Sequence, residues 1–131
     1  MGVIYDRLNK PDSAVYFYQK ALEYNPTDPT VHNNIGTVFF KHANYQEAMK
    51  AFAKATQLNP NYAEAFANLG SCYGVLKDFN PAINNFNRAV AIDPNYAQAY
   101  FFLSITYQSM GDEQQAQFYK SKASALDPQY K

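Results

Sequence analysis

The chain has 131 residues, 47% hydrophobic and 17% charged, a composition suited to one ordinary folded domain and far from that of a disordered tail. Eleven basic residues balance eleven acidic ones, so there is no field of one sign to hold nucleic acid or an anionic membrane surface, and neither partner is expected. No apolar run approaches the roughly 20 residues of a membrane helix, Asp6, Arg7 and Lys10 stand where a signal peptide would need an apolar core, and the single cysteine, Cys72, rules out an intrachain disulfide while leaving the localisation open.

Shifted against itself by 34 residues, the chain brings Pro26, Pro60, Pro94 and Pro128 into register, together with Ala14, Ala48, Ala82 and Ala116 and with Ala21, Ala55, Ala89 and Ala123. A fixed period of this length marks a tandem array. With the proline at position 32, full repeats run over 29–62, 63–96 and 97–131, and residues 1–28 form a truncated first unit in which Met1 is position 7. The whole of 1–131 is expected to be one repeat domain.

Apolar residues recur at a period near 3.6 in two stretches of each repeat, as in Leu69, Cys72, Tyr73 and Leu76 followed by Ala82, Ile83, Phe86, Ala89 and Val90. In chain order the spacing predicts helices near 2–9 and 12–24 in the first unit, 29–42 and 45–58 in the second, 63–76 and 80–92 in the third, and 97–110 and 113–126 in the fourth. Their starts are marked by Asn44 with Glu47, Asn61 with Glu64, Asn95 with Gln98 and Asp112 with Gln115, pairs in which a side chain can accept from first-turn amides. Pro29 and Pro81 fall in first turns, where no amide donor is needed.

Repeat three carries Phe66, Leu69, Gly70, Tyr73, Ala82, Phe86, Ala89 and Pro94, and repeat two matches it with His32, Ile35, Gly36, Phe39, Ala48, Phe52, Ala55 and Pro60. The first unit joins with Gly2, Tyr5, Ala14, Tyr18, Ala21 and Pro26. This pattern resembles the signature of the tetratricopeptide repeat family, and the resemblance covers the whole chain. It implies an all-α fold, a right-handed superhelical α-solenoid of antiparallel helix pairs. Close approach within each pair is expected where Gly36 and Gly70 face Ala48 and Ala82, with the aromatics filling wider gaps.

The two ends of the array differ. At positions 21, 24 and 28 the second helices read Val15, Tyr18 and Leu22, then Met49, Phe52 and Thr56, then Ile83, Phe86 and Val90, and finally Gln117, Lys120 and Ser124. A terminal repeat needs a wettable outer face, and the last one has it. The other end opens inside a helix, which is expected to fray and expose Ile4 and Tyr18.

Catalysis is not expected, because no nucleophile, base and orienting group can be assembled and no spaced ligand set for a metal is present. His32 takes the packing slot of Phe66 and Tyr100, and His42 lies at a turn. Cys72 shares position 10 with Ile4, Val38 and Thr106, which marks a buried structural thiol. The glycines lie in helices or turns and form no phosphate loop, so no cofactor is implied.

What remains is the stripe of the first helices not spent on packing, positions 2, 5, 6, 9, 12 and 13. In the resembled family this stripe lines a concave groove that binds peptides or proteins. The candidate residues here are Asn33, Asn34, Thr37, Phe40 and Lys41, then Asn68, Ser71 and Val75, then Gln98, Phe101, Phe102 and Ile105. Family members that hold acidic chaperone tails use cations and asparagines where this chain has Asn33, Thr37, Asn68, Gln98 and Phe102, and only Asn68 matches, so that ligand is disfavoured. Asn34 and Asn68 recur at position 6 although asparagine is a poor helix former, and a carboxamide can donate to and accept from a peptide group together. The pair resembles two rungs of the asparagine ladder of O-GlcNAc transferases. With first helices roughly 10 Å apart and a strand rising about 3.3 Å per residue, the rungs are expected to meet peptide groups about three residues apart. Phe101 and Phe102 either pack on the final helix or build an apolar anchor pocket with Ile105.

The sequence therefore leads to a non-catalytic scaffold that binds an extended peptide or partner protein. Two alternatives stay open at this point: a self-association module, a homo-oligomer formed through the incomplete N-terminal repeat, and a regulatory fragment of a larger enzyme.

Overall fold

A computed structural model of the chain describes residues 11–131, with side chains from Tyr16 onward. The helix expected over 2–9, and the exposure expected for Ile4, lie outside the described residues. Tyr18, expected at the surface beside them, is half-buried.

Seven α-helices follow one another among the described residues: α1 (Pro11–Tyr24), α2 (Pro29–Lys41), α3 (Tyr45–Leu58), α4 (Ala63–Val75), α5 (Phe79–Ile92), α6 (Ala97–Ser109) and α7 (Glu113–Leu126), then a 3₁₀ turn (Pro128–Tyr130). Two compact units divide at Pro60 and Asn61. In the first, α2 packs on both α1 and α3; in the second, α4 pairs with α5 and α6 with α7, α5 meets α6, and the 3₁₀ turn lies on α7.

Every described helix falls within a residue of its predicted span, and the differences have a cause. The predicted first helices run one residue too far, into His42, Leu76 and Met110, which are C-caps. There the chain closes in the same way three times: Asn44 N–H donates to the Phe39 carbonyl at 2.8 Å, Asp78 to Tyr73 at 2.9 Å and Asp112 to Tyr107 at 2.9 Å. This six-to-one bond needs a left-handed residue just before its donor. Ala43 (φ 59°), Lys77 (φ 62°) and Gly111 (φ 86°) fill that place, and only one of them is glycine. A side chain in that region costs roughly 1–2 kcal/mol. Ala43→Gly and Lys77→Gly are each expected to raise stability by about 0.5–1 kcal/mol in urea titrations, after the entropy gained by the unfolded glycine offsets part of the relief.

The caps follow the sequence only in part. Asp112 accepts from the Gln115 N–H at 3.2 Å as expected, and Asp28 caps α2 through Thr30 N–H at 2.9 Å, with Pro29 in its first turn. Asn44 is the N-cap of α3 but makes no side-chain cap bond. Asn61 and Asn95 lie one residue outside their helices, whose caps are Tyr62 and Tyr96. There the turn is held instead by Asp93, which accepts from Asn95 N–H at 3.1 Å.

The helix pairs close on an aromatic ring, where alanine was expected. A Cβ added to Gly36 would come 2.5 Å from Cε1 of Phe52, and one on Gly70 would meet the Phe86 ring at 2.9 Å and the Ala82 carbonyl oxygen at 3.1 Å. Phe52 and Phe86 are almost wholly buried, so position 8 is glycine because the ring of position 24 takes the space a Cβ would need. Repeat four exchanges both members: Ser104 replaces the glycine and Lys120 replaces the ring. The Ser104 hydroxyl donates to the Ala116 carbonyl at 2.7 Å, so a buried hydrogen bond ties α6 to α7 where ring packing ties the other pairs.

Candidate functional site

The candidate stripe begins on α2 in the first unit. Thr37 and Lys41 are exposed, and Asn34 and Phe40 are half-buried, with the Phe40 ring edge-on to Tyr45 at 5.3 Å. Asn33 is only 2% exposed, as is Ala67 at the same position of the next repeat, so position 5 points inward in repeats two and three and Asn33 is withdrawn from the accessible stripe. The Thr37 hydroxyl donates to the Asn33 carbonyl at 3.0 Å, and Ser71 does the same to Ala67 at 3.0 Å. These position-9 hydroxyls keep lone pairs for a ligand donor while their own proton is used within the helix.

In the second unit α4 touches α6, so both helices contribute to one surface. Asn68 and Ser71 are half-buried, Gln98 is exposed, and Val75 and Ile105 are 47% and 44% exposed. Phe101 and Phe102 pack on different partners. Phe102 leans inward on Phe86, with ring centroids 5.6 Å apart. Phe101 lies against Tyr130 of the C-terminal turn at 4.7 Å. Of the twelve candidates only Lys41 is charged; the others are amides, hydroxyls and apolar side chains.

The reactive residue types are held in structural roles. Cys72 is fully buried on α4, and burial pushes its thiol up to about 12, outweighing the opposite pull of a backbone hydrogen bond. The His32 ring bonds the Pro26 carbonyl at 3.2 Å and the His42 ring bonds the Val38 carbonyl at 3.0 Å. Among the described residues no helix is long and apolar enough to cross a membrane.

Two contact sets were not read from the sequence. The Arg88 guanidinium lies over the Phe66 ring at 5.5 Å, and Lys122 lies over Tyr100 at 5.3 Å, each joining the second helix of a repeat to the aromatic of the first. The signal was present, since position 26 reads Lys20, Lys54, Arg88 and Lys122. Tyr119 stacks on Tyr107 at 5.6 Å and on Tyr100 at 6.2 Å, and burial, then those two phenols, raise its pKa.

Profiles described as tetratricopeptide repeat match residues 29–62, 63–96 and 97–130, and one described as TPR repeat matches 2–42. No curated protein sequence matches significantly. Among solved structures, one described as the crystal structure of MamA is 26% identical with a TM-score of 0.86, covering 98% of this chain and 75% of that one. A second MamA structure is 27% identical with a TM-score of 0.85, over 97% and 69%. The first TPR of Spaghetti (RPAP3), bound to the HSP90 peptide SRMEEVD, is 26% identical with a TM-score of 0.75, over 77% of this chain and 80% of that one.

Proposed function

Because the chain belongs to the tetratricopeptide repeat family, an all-α solenoid fold of protein-interaction scaffolds, we propose that it binds an extended, near-neutral peptide segment along the exposed stripe of its first helices. The observation that carries this reading is the make-up of that stripe on α4 and α6: exposed Val75 and Ile105 among half-buried Asn68 and Ser71 and exposed Gln98, with no charge on any of them. Apolar side chains of that size, left exposed among amides, supply contact area, and the amides grip a main chain whatever its side chains are. Asn34 offers the same carboxamide on α2.

The RPAP3 repeat was solved with an acidic peptide. The positions that carry cations in family members holding such tails are Asn33, Gln98 and Phe102 here, so a different ligand composition is expected. Peptides selected by display on the parent protein should bind with an affinity that changes little between about 0.05 and 0.5 M salt, because no ion pair is screened. At about 0.5–1.5 kcal/mol per hydrogen bond, the double variant Asn34→Ala/Asn68→Ala should bind them ten-fold to a few hundred-fold more weakly, with an unchanged melting temperature. Equal affinity for parent and variant, measured by fluorescence anisotropy, would remove the asparagines from recognition.

A further inference from the structure

The C-terminal turn makes a contact that its own hydrogen bonding does not require. Residues 127–131 are held by local bonds: Asp127 accepts from Gln129 N–H at 3.1 Å and from its side-chain amide at 2.6 Å, Tyr130 N–H donates to the Asp127 carbonyl at 3.1 Å, and Lys131 N–H to Pro128 at 3.2 Å. Asp127 itself has extended backbone angles (φ −147°, ψ 112°) and is tied to α7 by one bond, to the Ala123 carbonyl at 2.8 Å. A swing about Asp127 would keep those internal bonds and give up the turn's packing on α7 and on the core.

That packing is against the groove. Tyr130 covers Phe101 at 4.7 Å, and Phe101 stands between exposed Gln98, three residues before it, and exposed Ile105, four residues after it, on one face of α6. Tyr130 repeats the register of Tyr62 and Tyr96, which cap the helices that follow them. In repeat three the residue at the place of Phe101 is Ala67, small and itself part of the buried core against which Tyr96, Phe101 and Tyr130 all pack. Repeat four alone puts a large ring there, and the ring is met by another from the same chain.

We infer that the turn Pro128–Tyr130 is an intramolecular occupant of an aromatic slot in the groove, and that the ligand taking its place is a peptide presenting an aromatic side chain. The inference rests on the groove reading for α6 and adds to it both a ligand class and a gate. A tethered segment whose effective concentration is about four to nine times its own dissociation constant weakens a rival roughly five-fold to ten-fold, enough to make entry selective without closing the slot.

The probe is the capped pentapeptide Asp-Pro-Gln-Tyr-Lys, a copy of residues 127–131, titrated into labelled protein while the Ile105 methyl and Phe101 ring signals are followed by NMR. Tyr130→Ala should bind it about five to ten times more tightly than the parent, Tyr130→Phe should behave as the parent, and the same peptide with alanine for tyrosine should shift neither signal. Equal shifts in parent and Tyr130→Ala, or none in either, overturn the inference. A second measurement uses the intact parent with a display-selected peptide. Tyr130 ring signals should move toward those of an exposed tyrosine on saturation; if the peptide binds at α6 and they stay, the gate is wrong while the groove stands.

Discussion

Replacing Gly36 by leucine is expected to remove about 3 kcal/mol or more of stability, a large share of the roughly 5–15 kcal/mol that holds a domain of this size together. Even the first added carbon would lie 2.5–2.9 Å from three atoms of the Phe52 ring, closer than unbonded carbons approach. Phe52 is 1% exposed and wedged between α2 and α3, so its ring has nowhere to rotate and the helices must part. Gly70→Leu should act alike, because its added carbon would meet both the Phe86 ring and the Ala82 carbonyl oxygen, which is backbone and cannot yield. Gly74→Ala is the counter-case. Nothing lies within 4 Å of its added carbon, so the helix propensity of alanine should make that variant more stable by about 0.5–1 kcal/mol. Urea midpoints of the three variants decide the matter: similar midpoints for all of them would mean that the rings are not what fixes helix spacing.

The same pair of positions shows what could be read from the chain and what could not. Helix order and spans were legible because two periods, 34 and about 3.6 residues, are written over one another with little noise. Small residues suggest close approach of Gly36 to Ala48 and of Gly70 to Ala82; the Ala82 carbonyl does come within 3.1 Å of a carbon added to Gly70, but the rings of Phe52 and Phe86 come nearer still. The clue was joint change: Gly36 with Phe52 and Gly70 with Phe86, but Ser104 with Lys120. Where the ring goes, the glycine goes too, and a buried hydroxyl bonds across the gap.

Depth within the candidate stripe was less legible than direction. Asn33 belongs to the free stripe by helical spacing alone, but α2 has packed neighbours on two sides, and burial depends on both. Periodicity along one helix cannot report how far a second helix reaches over it. Phe101 and Phe102 are adjacent in sequence and about 100° apart around α6, so one ring joins Phe86 in the core while the other faces the C-terminal turn. The sequence left open what each ring would meet, because the spacing along α6 says nothing of α5 or of the turn after α7.

Stability should decline steadily as pH rises above about 9, and Cys72 should account for the first part of that decline. Burial raises its thiol from 9.0 to about 12, and Tyr96 rises from 10.0 to about 12, through burial first and then the charges of Glu64 and Asp93 and the phenols of Tyr130 and Tyr62. Both groups are acids whose anions the folded state disfavours. Below the unfolded value each contributes its full share; above it the unfolded chain releases a proton that the native chain retains, and the difference grows until the folded group also ionises near pH 12. For Cys72, which has no exposed surface, the loss should be on the order of 1 kcal/mol at pH 10 and roughly 2–3 kcal/mol at pH 11. Position 10 names the control, since Val38 fills it in repeat two. Cys72→Val removes the titrating group at little cost in packing, so parent and variant should share one stability curve up to about pH 8.5 and separate above it, the variant falling later. Tyr96 and the lysines titrate in both proteins and cancel in the difference. Denaturation midpoints measured from neutral pH to about 11 give that difference directly; parallel curves across the whole range would mean that the Cys72 thiolate forms in the folded protein without penalty, and that the thiol is not sealed within α4.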